Sequence, residues 1–227
     1  MLRDNLEKVK DRIRGAAERA GRSGEEVLLV AVSKKKPKED ILELYEAGQR
    51  DFGENYVQEL REKREALPAD IRWHMIGHLQ KNKVKYIAEY VAMIHSVDSY
   101  ELACVIDREA EKHGRVIPVL IEVNVGEEES KFGVSAEEAE GLARRILTLP
   151  HISLKGFMTS APYFADPEED RPVFRKLRKI AVDMDLENND NEKVDFLSMG
   201  MSNDFEIAVE EGSGCVRVGT SIFGERA

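Results

Sequence analysis

The sequence has few cysteines and no long apolar run. Cys104 and Cys215 are the two cysteines among 227 residues, they lie far apart, and no CxxC or metal-ligand spacing is present. A disulfide framework is therefore excluded as the basis of the fold, and two isolated thiols fit a reducing compartment. No segment has the composition of a signal peptide or a membrane span, so we expect a cytoplasmic protein that does not bind membranes.

Basic residues are also fewer than acidic residues. Lysine and arginine number 34 against 44 aspartates and glutamates, which gives a formal net charge of -10. An acidic surface repels phosphate backbones, so nucleic acid is not expected as a partner. Any anionic ligand must therefore be held by a local site.

The chain contains no linker and no shift in composition, which predicts one domain over residues 1–227. Apolar strands alternate with amphipathic helices. The predicted strands cover 27–33, 50–53, 71–76, 91–96, 116–123, 152–159, 193–198 and 215–218. The predicted helices cover 2–20, 38–47, 55–65, 80–89, 99–113, 135–148, 167–185 and 203–211, and a short helix follows the last strand. Eight such units predict a single α/β domain, a (β/α)8 TIM-type barrel with an extra N-terminal helix. An open doubly wound sheet is the structural alternative.

The first strand ends abruptly at an amine. Its apolar residues stop at Ser33, and Lys34, Lys35 and Lys36 follow. Ligands of α/β proteins gather at the carboxyl ends of strands, and a partly desolvated lysine there becomes a nucleophile toward carbonyls. A solvated basic turn is the alternative interpretation of this segment, and the residues alone do not choose among the three lysines.

Polar residues, glycines and two methionines stand at the ends of the other strands, at the same end of the predicted barrel. These residues are Asn55, Gly77, His78, Ser96, Asn124, Met158, Ser198, Gly200, Met201, Arg217, Gly219 and Thr220. Glycine lets the backbone approach an anion, and the loops after strands 7 and 8 often bind phosphate in barrels. A phosphate at this end with a carbonyl toward Lys34 fits pyridoxal 5′-phosphate (PLP). A PLP-free barrel that binds a phosphosugar is the alternative.

Several longer motifs extend this pattern along nearly the whole chain. They are Ala31-Val32-Ser33-Lys34, Phe52-Gly53-Glu54-Asn55-Tyr56-Val57-Gln58-Glu59, residues 73–83 (WHMIGHLQKNK), Ser130-Lys131-Phe132-Gly133, residues 197–204 (LSMGMSND) and residues 216–224 (VRVGTSIFG). In this combination the chain resembles the pyridoxal phosphate homeostasis proteins, the PROSC/YggS family.

The resemblance implies a barrel like the N-terminal domain of alanine racemase, with PLP held as a Schiff base on Lys34. It implies that Ser198, Gly200, Gly219 and Thr220 hold the phosphate, that Arg217 faces the pyridine nitrogen, and that Asn55 and Met158 line the ring. The strand-end residues His78, Ser96 and Met201 are predicted to belong to the same cofactor site. The implied function is intracellular PLP homeostasis and delivery, with an influence on amino-acid and keto-acid balance and with apo PLP-dependent enzymes as partners.

An amino-acid racemase is the functional alternative on the same barrel. Racemisation needs a second base opposite the lysine, which alanine racemase takes from a separate domain. This sequence ends at Ala227 directly after the last barrel motif, and nothing places His78, Tyr56 or Tyr163 across the ring. We therefore expect no catalytic turnover.

Two further expectations concern the surface of the protein. No exposed apolar stripe demands a partner subunit, so we expect a monomer. Lys131 follows strand 5 on the same side as the site and is either a solvated loop residue or a second amine that receives PLP during transfer.

Overall fold

The computed structural model describes residues 1–126, 128, 132–184 and 193–224. Within these residues, eight parallel strands form a closed barrel in chain order, in which β8 pairs with β1. The strands are β1 (Leu28–Val32), β2 (Asp51–Glu54), β3 (Arg72–Met75), β4 (Met93–Val97), β5 (Ile117–Glu122), β6 (Ile152–Met158), β7 (Phe196–Ser198) and β8 (Cys215–Val218). The predicted TIM-type barrel is confirmed, and its closure excludes the open sheet.

Helices surround the barrel and bury apolar residues against the outer face of the strands. The helices are α1 (Leu2–Arg19), α2 (Lys38–Glu46), α3 (Val57–Ala66), α4 (Tyr100–Lys112), α5 (Ala136–Ile146), α6 (Arg171–Asp183), α7 (Phe205–Glu210) and α8 (Thr220–Phe223). The extra helix α1 buries Leu6, Val9 and Ile13 and packs against α7 and α8. No helix among the described residues is long and apolar enough to cross a membrane.

The helix predicted over 80–89 is wrong in type. A 3-10 helix, Lys81–Tyr86, stands there instead. The segment 81–85 carries three lysines and buries only Val84, so it lacks the apolar stripe that stabilises an α-helix against a barrel. The predicted helix over 167–185 also differs, because a 3-10 turn at Pro167–Asp170 precedes α6 and Pro172 stands in its first turn.

Alternation along the strands divides their side chains between the barrel interior and the helix layer. Most helix-facing positions are apolar, as Phe52 and Trp73 show on β2 and β3, whereas Glu54 at the end of β2 pairs with a lysine of α3. Ionisable residues occupy interior positions instead, including Asp51, His74 and Arg217, each of which is buried. The interior of this barrel is therefore partly polar.

Candidate functional site

Lys34 lies in a tight turn directly after β1. Its neighbour Lys35 has a φ of 58°, a left-handed conformation that is uncommon for a residue with a side chain. Lys34 itself is half-buried, whereas Lys35 is exposed. Lys36 donates from Nζ to the carbonyl oxygens of Phe223 (3.4 Å) and Gly224 (3.2 Å), at the end of α8. The three neighbouring amines therefore have different surroundings.

A buried ion pair lies behind this turn. Lys63 on α3 is 4% exposed, and its Nζ donates to the Ser33 carbonyl oxygen (2.6 Å) and to Glu54 Oε1 (2.7 Å). Ser33 Oγ donates to the same Glu54 oxygen at 2.6 Å. Burial raises the pKa of Glu54 to about 6, although Lys63 opposes that rise. The ion pair fixes the backbone immediately before Lys34.

Glu59 ties the other side of the turn to α3. Its carboxylate accepts from the backbone N–H of Lys35 at 2.5 Å and from Lys63 Nζ at 2.7 Å. Both sides of the Lys34 turn are therefore held by one lysine and its two carboxylates.

The turn after β8 lies beside β1. Ala31 pairs with Val218 in the sheet, and a Cβ built on Gly219 would stand 3.4 Å from the Val32 carbonyl oxygen. The backbone N–H groups of Gly219 and Ser221 both point at Ser202 Oγ, at 3.1 and 3.3 Å. Two amides aimed at one oxygen form an arrangement that suits a phosphate oxygen. Thr220, which begins α8, is exposed.

The turn after β7 depends on Gly200. Its φ is +96°, and a Cβ there would come within 2.6 Å of Ala208 Cβ on α7. Glycine is therefore required both by the backbone conformation and by the close approach of α7. Met201, directly after it, is half-buried.

Arg217 and Ser198 meet inside the barrel. Arg217 Nη1 donates to Ser198 Oγ at 2.6 Å, and Nη2 donates to the Thr159 carbonyl oxygen at 2.8 Å. Burial lowers the pKa of Arg217, but a guanidinium remains charged at neutral pH. The Ser198 hydroxyl thus has Arg217 as its partner, and its predicted contact with phosphate stays a prediction.

An open cavity of about 630 Å³ lies at the carboxyl ends of the strands. Its lining includes Asn55, Gly77, His78 and Asn124 from the predicted strand-end residues, together with Tyr56, Glu122, Phe132 and Ser160. Ser160 connects this cavity to the interior, since its Oγ lies 3.4 Å from Arg217 Nη2. The cavity therefore opens beside Arg217, on the side of β2, β3 and β5.

His78 closes part of the cavity mouth. Its ring stacks on Phe132, with centroids 3.9 Å apart and planes inclined by 12°, and its Nδ1 lies 3.3 Å from an Asp98 carboxylate oxygen. Phe132 is 54% exposed, so this stack stands at the rim. His78, which follows β3, thus lies at the entrance and is more exposed than the predicted site residues on the strands.

Three buried side-chain oxygens at this end have no hydrogen-bond partner among the described residues. They are Glu54 Oε2, at the end of β2, Ser96 Oγ, on β4, and Glu122 Oε2, at the end of β5. Burial raises the pKa of Glu122 to about 7, and the positive charge of Arg217 opposes the rise. Buried oxygens without partners are rare in folded proteins and often belong to sites that receive a ligand or solvent.

The remaining predicted residues are distributed as follows. Met158, at the end of β6, is fully buried and pairs with Ser198 of β7 in the sheet. Asn124 exchanges hydrogen bonds with the backbone of Glu128, through Nδ2 at 2.8 Å and Oδ1 at 3.2 Å. Lys131 lies outside the described residues.

Three further residues contribute to this end of the barrel and were not among the predicted site residues: Glu54, Lys63 and Glu122. Glu54 and Glu122 are the last residues of β2 and β5, so a carboxylate that closes an apolar strand was a usable signal. Lys63 gave no such signal, because a lysine on an amphipathic helix normally faces water.

Comparison with known proteins agrees with this architecture. A family model described as alanine racemase, N-terminal domain, matches residues 5–227. The pyridoxal phosphate homeostasis protein of Aquifex aeolicus is 48% identical over 224 residues, which cover 98% of this chain and 97% of that protein. The protein of the same name from Escherichia coli K12 is 40% identical over 226 residues, which cover 98% and 95%.

Solved structures give the same result. PipY of Synechococcus elongatus, solved with PLP bound, superposes with a TM-score of 0.84 at 32% identity and covers 99% of this chain and 100% of its own. An alanine racemase of Clostridium difficile superposes with a TM-score of 0.73 at 18% identity and shows the fold alone; this chain covers 56% of it. With full-length relatives at 40–48% identity, the chain belongs to the pyridoxal phosphate homeostasis protein family, built on the alanine racemase N-terminal barrel.

Proposed function

We propose that this protein binds PLP through Lys34 and holds it reversibly, as part of intracellular PLP homeostasis. The observation that carries the proposal is the position of Lys34 directly after β1, next to the turn that follows β8. In that turn the backbone N–H groups of Gly219 and Ser221 both donate to Ser202 Oγ. PipY, a relative that aligns with this chain over its whole length, has been solved with PLP bound.

The residues present fit such a cofactor. The Gly219 and Ser221 amides suit its phosphate, and Lys34 supplies an amine. Ser96 Oγ supplies a buried hydroxyl that no described residue hydrogen-bonds. When bound, PLP supplies an aldehyde that reacts reversibly with amines and a pyridine ring that withdraws electrons. The proposed binding set also includes Asn55, His78, Met158, Ser198, Gly200, Met201, Arg217 and Thr220.

Arg217 would set the protonation state of a pyridine nitrogen that faces it. A guanidinium carries only donors, so a ring nitrogen that faces it must act as an acceptor and stay unprotonated. An unprotonated pyridine withdraws electrons less strongly than a pyridinium.

Glu122 gives the site a group that can move a proton near neutral pH. Its carboxyl lines the cavity, its Oε2 has no partner among the described residues, and its pKa is raised to about 7 by burial. An amine must lose a proton before it can attack a carbonyl. Because Glu122 lines the cavity, its carboxyl can accept that proton from an amine that enters there.

The finer parts of the proposal concern the use of the bound cofactor. The protein passes PLP to apo PLP-dependent enzymes, acts as a monomer, and works in the cytoplasm. Transfer to an apo-enzyme is measured with and without a trap for free aldehyde. Direct delivery predicts transfer that the trap does not abolish, whereas complete inhibition by the trap would show release into solution.

The test of PLP binding itself is spectroscopic. Purified protein incubated with PLP and then separated from unbound PLP by gel filtration is expected to stay yellow, and its absorbance band should bleach on addition of borohydride. A protein that is colourless after this separation would refute cofactor binding. Loss of optical activity in L-alanine or L-serine solutions would favour the racemase alternative, and we expect none.

A further inference from the structure

A row of buried polar side chains crosses the barrel interior. Asp51 Oδ1 lies 3.0 Å from His74 Nε2, His74 Nδ1 lies 3.0 Å from His95 Nε2, and His95 Nδ1 lies 2.9 Å from Ser198 Oγ. Ser198 Oγ in turn accepts from Arg217 Nη1 at 2.6 Å. Each link has hydrogen-bond length, so the five side chains form one continuous relay.

The relay spans the barrel from one side to the other. His95 is on β4 and Ser198 is on β7, and these strands are not neighbours in the closed sheet, so their contact passes through the interior. All five residues are buried, and His95 and Ser198 are 0% exposed. At the far end, Arg72 Nε donates to Asp51 Oδ1 at 2.8 Å, and its side chain is 57% exposed.

Burying this row of polar side chains costs free energy of desolvation. An apolar barrel interior avoids the cost of desolvating a carboxylate, two imidazoles and a guanidinium. Every ring nitrogen of His74 and His95 nevertheless has a partner, as a fully satisfied network requires. A rigid, satisfied network that ends on Arg217 is suited to fixing that guanidinium.

The chemistry of the five side chains also sets the direction in which hydrogen bonds are donated along the relay. Arg217 can only donate, so Ser198 Oγ accepts from it and can give its own proton to His95 Nδ1. His95 then carries its proton on Nε2 and donates to His74 Nδ1, and His74 donates from Nε2 to Asp51. The carboxylate of Asp51 can only accept, and its pKa is lowered because hydrogen bonds from His74 and Arg72 outweigh the effect of burial.

We propose that His95 and His74 are positioning residues, which hold Arg217 through Ser198 by a one-way donor relay anchored on Asp51. This inference rests on the proposed function, since Arg217 is the group that is expected to face the PLP ring. The relay keeps Ser198 Oγ oriented as an acceptor and so fixes one edge of the guanidinium. Thr159 O fixes a second donor at 2.8 Å.

The relay itself is tested in the PLP-free protein by two-bond ¹H–¹⁵N spectra of the histidine rings. The expected result is a neutral His95 that is protonated on Nε2 and bare on Nδ1, with N–H protons on His74 and His95 that exchange slowly. A His95 that is protonated on Nδ1 would overturn the proposed direction. This readout does not depend on whether PLP binds.

The positioning role is tested by variants at His95. Asparagine keeps an acceptor near the Nδ1 position, whereas leucine removes it. His95→Leu is expected to weaken PLP binding about tenfold and shift the absorbance band, and His95→Asn should restore binding to within about threefold of wild type. His113→Gln, which alters an exposed histidine, is the control and should bind PLP as the wild type does.

Two outcomes would overturn the positioning role. One is a folded His95→Leu protein with wild-type affinity and an unmoved absorbance band, and the other is an equal loss in His95→Asn and His95→Leu. If His95→Leu does not fold, Asp51→Asn removes only the terminal charge and is expected to speed exchange of both imidazole protons. Unchanged exchange in Asp51→Asn would then refute the relay. A wild-type protein that takes up no PLP would refute the proposed function, while the spectra of the PLP-free protein still decide the relay.

Discussion

The ammonium of Lys63 lies 2.6 Å from the carbonyl oxygen of Ser33, the residue directly before Lys34. One lysine that is almost wholly buried therefore holds in place the turn that carries another. The arrangement links a helix outside the barrel to the proposed cofactor attachment point. It also places a positive charge behind the turn, where Glu54 and Glu59 neutralise it.

Lys63→Met is expected to destabilise the protein by about 3 kcal/mol, because it leaves the Glu54 carboxylate buried without its partner. Urea unfolding measures the change. The double variant Lys63→Met with Glu54→Gln should recover part of the loss, since the unpaired charge is gone. Equal losses in the single and the double variant would show that the ion pair is not coupled in the way the structure indicates.

Glu122→Gln is expected to change how stability depends on pH. The pKa of Glu122 is raised to about 7 in the folded protein from an ordinary value of 4.5, so the folded state binds this proton more tightly than the unfolded state. The native glutamate therefore contributes a loss of stability that grows as pH rises from about 4.5 to about 7. Glutamine removes that loss and should stabilise the protein by about 1–3 kcal/mol at pH 8, with little effect at pH 4.5.

Urea unfolding of the PLP-free protein at both pH values checks this difference. Glu111→Gln, at an exposed position on α4, serves as the control. A stabilisation by Glu122→Gln that is equal at pH 4.5 and pH 8 would contradict the raised pKa.

Gly200→Ala is expected to cost about 2 kcal/mol or more and to weaken PLP binding. The added methyl would meet Ala208 Cβ at 2.6 Å, and the residue would have to keep a φ of +96°. Thermal unfolding and PLP titration measure the two effects. Gly141→Ala on the exposed side of α5 is the matched control, since nothing lies within 4 Å of the new methyl, and it should be neutral or slightly stabilising. Equal effects of the two substitutions would contradict the close packing assigned to Gly200.

Much of the fold followed from the sequence because the barrel repeats one simple pattern. The sequence alone shows where an apolar strand stops, as β1 does before Lys34 and β8 does before Gly219. Residues 81–86 were harder, because a lysine-rich segment carries no periodicity that separates a 3-10 helix from an α-helix.

The interior network could not be predicted in the same way. Asp51, His74 and His95 stand on three different strands, and their pairing depends on the register of the closed sheet and on contacts across it. The burial of Lys63 could not be predicted either, since a lysine in an amphipathic helix is normally assigned to the surface. Polar residues at interior strand positions were visible, but the partner of each one is set only by the folded barrel.

The most direct test of the central claim is reductive trapping followed by peptide mapping. Protein loaded with PLP is treated with borohydride, digested and examined by mass spectrometry, in the wild type, Lys34→Ala and Lys35→Gly. Glycine suits the left-handed backbone at position 35, so Lys35→Gly removes a neighbouring amine without straining the turn. We predict a single modified peptide with the adduct on Lys34, which is retained in Lys35→Gly and lost in Lys34→Ala. An adduct on another lysine, or one that persists in Lys34→Ala, would contradict the account.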